Sequence, residues 1–147
     1  MAEVQLYEFN GTDAQKWYVE HNSGGSISLK NRACGLYLDV YGADTKSGAK
    51  VQAYEKNGSI AQKFFLKQYS GNYSPAYVAP QYLAPATNSA LRLDCVAAGK
   101  ANGTKIQIYT ANNSDAQKWQ VLDNGDGTWT IVNIASGKVL DVAGGGR

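Results

Sequence analysis

Histidine, methionine, cysteine and proline are scarce in this chain: one, one, two and three among 147 residues. The lone His21 has no counterpart elsewhere and stands in a Gly/Ser-rich stretch that reads as an exposed loop. Without a positioned histidine, a Ser/His/Asp or Cys/His relay has no general base. Metal-ligand spacing is absent as well, so neither a metal nor a cofactor is expected. Cys34 and Cys95 lie 61 residues apart and read as buried free thiols rather than as a motif. Only 18% of residues are charged, the formal net charge is +2, and Lys and Arg never cluster beyond isolated pairs. That excludes the electrostatic footprint of a nucleic-acid binder. No apolar run approaches the ~20 residues of a membrane-spanning helix, and residues 1–4 start neither a basic region nor an apolar signal core.

Sixteen glycines and ten tyrosines are present instead, a composition suited to many turns and short strands. At this length a single domain, residues 1–147, can bury a core unaided. Repetition organises it. Residues 4–17 (VQLYEFNGTDAQKW), 51–64 (VQAYEKNGSIAQKF) and 106–119 (IQIYTANNSDAQKW) align without a gap, and six of the fourteen columns are identical. A second block also recurs, as Leu38-Asp39-Val40, Leu93-Asp94-Cys95 and Leu140-Asp141-Val142. In each case its aspartate lies twelve residues after an apolar residue that opens a strand-like stretch: Ile27, Tyr82 and Trp129.

Asp39 to Gln52 and Asp94 to Gln107 are each thirteen steps, but Asp141 through the joined termini to Gln5 is eleven. Likewise Gln15 to Gln62 is 47, while Gln117 round to Gln15 is 45. The same two residues are missing by both counts. The chain therefore reads as a circular permutation, or as a window cut out of phase from a tandem array, with its ends close together. The repeats run over about 20–66, 67–121, and 122–147 joined to 1–19. Alternating Val-Gln-x-Tyr segments, with turn signals at Asn10-Gly11, Asn57-Gly58 and Asn124-Gly125, predict four strands per repeat. The expected fold class is all-β, with twelve short strands closed around a pseudo-threefold axis.

The triplet Gln15-Lys16-Trp17, Gln62-Lys63-Phe64 and Gln117-Lys118-Trp119, with the Leu-Asp-Val blocks, resembles the Gln-x-Trp signature of ricin B-type β-trefoil lectins, bacterial members especially. The resemblance covers essentially the whole chain in permuted order. It implies one shallow saccharide site per repeat. Asp39, Asp94 and Asp141 match the aspartate that accepts hydrogen bonds from sugar hydroxyls. Tyr54, Tyr109 and Tyr7 match the aromatic platform, and Asn57, Asn112 and Asn10 match a polar contact position. Gln62, Gln117 and Gln15 belong to the same sites, more as braces for loop and carboxylate than as ligand contacts. The chain departs from the family pattern at Ala14, Ala61 and Ala116, where many members carry a donor Asn.

The chemistry is coherent in its own right, because a carboxylate accepts two hydroxyls while an aromatic ring covers an apolar C–H face. The competing role for each aspartate is to tie down a turn through nearby amides. The aromatic of Gln-x-Trp reads as core, and Lys16, Lys63 and Lys118 as solvated. Asp39, with the roomier following loop, ranks first among the sites, the glycine-flanked Asp141 second and Asp94 last. The expected function is non-catalytic carbohydrate binding, with galactosides or xylan-like plant and cell-surface polysaccharides as ligands. The expected protein is a monomer, secreted as part of a larger chain. The alternatives are a protein-interaction or inhibitor scaffold with decayed sugar sites, or an engineered permutant of a lectin.

Overall fold

In the computed structural model, which describes residues 1–69 and 79–146, all regular structure is strand or short 3-10 turn. Twelve strands are present among the described residues. In chain order they are β1 (Ala2–Tyr7), β2 (Trp17–His21), β3 (Ile27–Asn31), β4 (Tyr37–Val40), β5 (Ala49–Tyr54) and β6 (Phe64–Gln68). They continue with β7 (Gln81–Pro85), β8 (Leu91–Cys95), β9 (Ile106–Thr110), β10 (Trp119–Asp123), β11 (Thr128–Asn133) and β12 (Val139–Val142). The fold is a β-trefoil. His21 closes β2, pairing with Ile27, rather than lying in the loop expected of it.

Closure is achieved in two layers. Strands β2, β3, β6, β7, β10 and β11 form an antiparallel ring, each pairing with the next and β11 returning to β2. Strands β1, β5 and β9 meet one another: β1 pairs with β5, β5 with β9, and Gln5 bridges Lys105. Among the described residues no long unpaired edge is left to recruit another chain. Period-2 alternation fills the interior. Val4 and Leu6, Val51 and Ala53, and Ile106 and Ile108 occupy equivalent inward positions, joined by Leu38, Leu93 and Leu140 and by Trp17, Phe64 and Trp119, all at most 1% exposed. Immediately before the inward valines and isoleucine stand Glu3, Lys50 and Lys105. Glu3 answers both lysines, at 3.8 and 3.2 Å.

The third unit is assembled from both ends of the chain. β1 pairs along β12 with Gln5 opposite Asp141, the register that sets Gln52 opposite Asp39 and Gln107 opposite Asp94. The equivalence anticipated at Tyr82 is corrected by one residue. Tyr18, Phe65 and Gln120 follow the Gln-x-Trp aromatic, and the strand partners of that aromatic are Asn31, Pro85 and Asn133. Gln81 therefore corresponds to Ile27 and Trp129, because the turn between Pro85 and Asp94 holds one residue more than its counterparts. Between Gln68 and its partner Gln81 the chain holds seven residues more than between His21 and Ile27 or between Asp123 and Trp129. Together they account for the eight residues by which the Gln62–Gln117 interval exceeds Gln15–Gln62. Residues 70–78 fall in that interval, inside the 67–121 repeat, and lie outside the described residues.

The second unit also loses two donors. Trp17 Nε1 and Trp119 Nε1 donate to Leu140 O and Leu93 O at 3.2 and 3.1 Å, whereas Phe64 has no indole N–H to offer Leu38. Asn31 and Asn133 donate to Ala14 O and Ala116 O at 2.9 and 3.1 Å, whereas the corresponding Pro85 cannot reach Ala61 in this way. Phe64 keeps an aromatic in the core and gives up one hydrogen bond. Pro85 gives up the side-chain donor, the backbone N–H that Asn31 and Asn133 direct to Leu36 O and Lys138 O, and the Oδ1 that accepts from Ala33 N and Ser136 N.

After β4, β8 and β12 the chain makes a 3-10 turn with two consecutive left-handed residues. These are Gly42 and Ala43 (φ 64° and 51°), Ala97 and Ala98 (55° and 54°), and Gly144 and Gly145 (61° and 70°). Only the middle unit places two alanines there, where a Cβ crowds the following carbonyl. Ala97→Gly and Ala98→Gly are each expected to stabilise the chain by about 0.5–1 kcal/mol, the relieved strain exceeding the added unfolded-state entropy. Trp17→Phe and Trp119→Phe should each lose about 2–3 kcal/mol, the hydrogen bond together with the cavity left by the smaller ring. Urea unfolding midpoints at constant m-value check both pairs.

Candidate functional site

Each unit repeats one arrangement around its aspartate. In antiparallel β4–β5, Asp39 sits directly opposite Gln52, and Gln52 Nε2 donates to Asp39 Oδ1 at 3.2 Å. Gln62 Nε2 reaches Asp39 Oδ2 at 2.9 Å from the 3-10 turn Ile60–Gln62. The other units copy this: Gln5 and Gln15 hold Asp141 at 3.1 and 3.0 Å, and Gln107 and Gln117 hold Asp94 at 3.5 and 2.6 Å. All three carboxylates are at most 5% exposed, and each is satisfied by neutral amide donors rather than by a cation.

The Gln-x-Trp glutamine does more than orient the aspartate. Gln62 Nε2 also donates to Glu55 O at 2.8 Å, and its Oε1 accepts from Asn57 N at 3.1 Å. Gln15 and Gln117 make the same contacts with Glu8 and Asn10, and with Thr110 and Asn112. Asn57 Oδ1 in turn accepts from Ser59 N, Asn10 Oδ1 from Thr12 N, and Asn112 Oδ1 from Ser114 N, all at 3.0 Å. Each asparagine thus ties down its own loop with its oxygen, a short-range side-chain to backbone link. The residue after it is left-handed in every unit, as Gly11 (φ 72°), Gly58 (68°) or Asn113 (58°). Asparagine is the non-glycine residue that tolerates this best.

Three clefts open over these carboxylates. The Asp141 cleft, about 560 Å³, is lined by Gln5, Tyr7, Asn10, Thr12, Asp13 and others. The Asp39 cleft, about 410 Å³, includes Gln52, Tyr54 and Asn57, and the Asp94 cleft, about 320 Å³, includes Gln107, Tyr109 and Asn112. Every aspartate, tyrosine and asparagine singled out from the sequence therefore lines its cleft. Gln15, Gln62 and Gln117 do not; they are buried beneath the carboxylates. The alanines that replace a donor asparagine, Ala14, Ala61 and Ala116, line the clefts and offer no side-chain donor. Sequence reasoning missed Gln5, Gln52 and Gln107, although the same glutamine stands in all three Val/Ile-Gln-x-Tyr copies and marks them.

Size order also departs from the expectation that the loop after Asp39 is the roomiest. Gly144 and Gly145 carry no side chains into the Asp141 cleft, and Gly145 turns toward Ala33, which extends the lining. Val96, Ala97 and Ala98 narrow the Asp94 cleft, which is the smallest of the three. Cys95, beside that aspartate, is fully buried; burial and then the neighbouring Asp94 charge push its thiol up to about 12. Cys34 is only half-buried, and both thiols are free. Gly146 abuts Cys34 so closely that an added Cβ would lie 2.6 Å from the Cys34 Cβ.

Residues 2–54, 13–78 and 77–147 each match the family described as ricin-type beta-trefoil lectin domain-like. The chain belongs to that family. No curated protein sequence matches this lectin-like domain. Among solved structures it is similar to a designed threefold-symmetric protein, ThreeFoil, at 30% identity and TM-score 0.72, over 82% of this chain and 81% of that one. It is similar in fold to the Rhizoctonia solani agglutinin at 20% identity and TM-score 0.62, over 86% and 74% of the two chains. An exo-β-1,3-galactanase from Clostridium thermocellum matches at 21% identity and TM-score 0.66, over 95% of this chain and only 29% of that enzyme.

Burial raises the Asp94 carboxyl above its ordinary 3.8, against the opposing hydrogen bonds from Gln117 and Gln107. A raised carboxyl binds its proton more tightly in the folded state, so this contribution is fully present below 3.8 and is lost as pH rises through the folded value. Carboxyl-carbon NMR titration is expected to place the Asp94 midpoint above 3.8. The unfolding free energy of the native sequence relative to Asp94→Asn should rise as pH falls through that window. A midpoint at or below 3.8 contradicts the assignment.

Proposed function

We propose that this lectin-like domain binds carbohydrate without catalysis, through three shallow clefts centred on Asp39, Asp94 and Asp141. The observation that carries this reading is the threefold repetition of a buried carboxylate, oriented by two glutamine amides, under a partly exposed tyrosine. Such a carboxylate keeps acceptor capacity toward the cleft, where adjacent sugar hydroxyls can donate. Tyr54 and Tyr109, 37% and 42% exposed, offer ring faces to the C–H side of a pyranose, as does Tyr7 in its cleft.

Galactose-type sugars and xylan-like polysaccharides are the ligand classes we assign. A Macrolepiota procera ricin B-like lectin of the same fold, 18% identical with TM-score 0.62 over 85% of this chain and 75% of that one, is described in complex with lactose. Three clefts on one domain favour polymers and crowded surfaces through avidity. We further propose that the domain is a monomeric, extracellular module of a larger protein in which the third repeat straddles the termini. The small share of the galactanase that it matches accords with such modular use. The loss of a donor at Ala14, Ala61 and Ala116 supports a weaker second reading, a protein-interaction scaffold with decayed sites.

Glycan-array and xylan pull-down measurements test the two readings. Galactoside or xylan binding is expected, and at each cleft Asp→Ala should weaken it at least about tenfold, as for a hydrogen bond to a charged acceptor. The triple variant Asp39→Asn, Asp94→Asn, Asp141→Asn, which keeps the shape and one amide oxygen to accept from the glutamines, should retain the strand signature of its far-UV spectrum and lose detectable binding. Absence of sugar binding by the native chain, with a protein partner that excess sugar does not displace, would favour the scaffold.

A further inference from the structure

The three clefts differ two residues after the aspartate, where the units carry Tyr41, Val96 and Ala143. Tyr41 opens the 3-10 turn after β4, is 57% exposed, and lines the same cleft as Asp39 and Tyr54. The strand register places the two rings. Asp39 faces Gln52 across antiparallel β4–β5. Moving two residues on from Asp39 leads toward Tyr41, and moving two residues on from Gln52 leads to Tyr54, in the opposite direction along the sheet. At about 3.3 Å per residue along the strands and about 5 Å between them, the two tyrosines are rooted on either side of the carboxylate, at most about 14 Å apart. In the Asp94 cleft the second flank is Val96, and in the Asp141 cleft Gly144 and Gly145 leave it without a ring.

A second observation singles out the same cleft. Gln52 is 4% exposed and lines it, and Gln52 Oε1 is buried with no hydrogen-bond partner. Its Nε2 is committed to Asp39, which fixes the amide and holds the oxygen as an acceptor. A buried acceptor left unmatched is unfavourable, and a hydroxyl donor brought to it relieves that cost. Gln5 and Gln107, in the other two clefts, have no such buried unmatched oxygen among the described residues.

We infer that the Asp39 cleft is a two-ring site, resting on the carbohydrate reading above. One pyranose covers Tyr54 and hydrogen-bonds Asp39, and the next ring of the same chain lies against Tyr41. The ligand class is a linked disaccharide or a run within a polysaccharide, while the other two clefts hold a single terminal ring. Tyr41 is thus the specificity-determining residue that makes one of three related sites prefer length.

Amide chemical shifts separate the clefts: Gly42 and Asn57 report on Asp39, Gly144 and Asn10 on Asp141, and Ala97 and Asn112 on Asp94. The native chain is titrated with galactose against lactose and with xylose against xylobiose. At least one disaccharide should bind the Asp39 cleft about five- to tenfold more tightly than its monosaccharide, the scale of one added aromatic contact. The other two clefts should show no such gain. Tyr41→Ala should erase the gain and keep monosaccharide binding, while Tyr41→Phe keeps both. Because Tyr41 is exposed, unchanged shifts outside the cleft verify the fold. A gain that survives Tyr41→Ala, an equal gain in all clefts, or no gain in the Asp39 cleft overturns the inference while leaving sugar binding intact. Silence of all three clefts toward all four sugars overturns the carbohydrate reading and this inference with it.

Discussion

In each unit one buried glutamine amide joins the cleft to the barrel. Gln62 donates to the Asp39 carboxylate and to Glu55 O, and accepts from the Asn57 amide; Gln15 and Gln117 do the same in their units. A side chain at most 2% exposed with both ends of its amide engaged is expensive to disturb, since freeing any partner strands another. The aromatic two residues on is buried against the central leucines, so the glutamine inherits its position from the core. Carboxylate, loop and barrel are therefore one rigid assembly, and the cleft above needs no ligand to organise it.

Departures from threefold symmetry collect where that assembly has slack. Extra residues enter the second unit between Gln68 and Gln81 in the sequence and in the turn before β8, and Asp94 to Gln107 keeps its thirteen-residue spacing. Phe64 and Pro85, paired with each other in β6–β7, stand where the other units have a Trp–Asn pair, so the donors of both vanish together while the strand pairing is kept. The turns after the aspartates are constrained chiefly in their backbone, which is left-handed and hydrogen-bonded, so their side chains are freer to vary. Here the units diverge into glycine, alanine or a tyrosine, and here the clefts acquire different volumes and flanks.

Much of the site was legible in the residues because it repeats. Asp39, Tyr54 and Asn57 recur at constant spacing in two units, and their third copy emerges once the termini are joined. β1 and β12 pair in the register that this joining implies. The Gln-x-Trp glutamines, read more as braces than as ligand contacts, hydrogen-bond the carboxylate and the loop in each unit. Gln5, Gln52 and Gln107 went unnoticed because strand alternation marks a residue as outward without saying what it meets across the ladder. Tyr82 was misaligned because counting back from Asp94 passes through a turn longer by one, and a one-residue slip exchanges the two faces of a strand.

The sequence by itself determined the all-β character, the three units, the buried aliphatic and aromatic positions, and which aspartates, tyrosines and asparagines would share a cleft. These follow from local periodicity and from spacing that covalent geometry preserves. It took the tertiary structure to show that Gln5, Gln52 and Gln107 also hold the carboxylates, and that Tyr41 and Tyr54 flank Asp39 from opposite sides. Those facts depend on antiparallel register between segments distant along the chain, and register is chosen by the packing of the whole barrel.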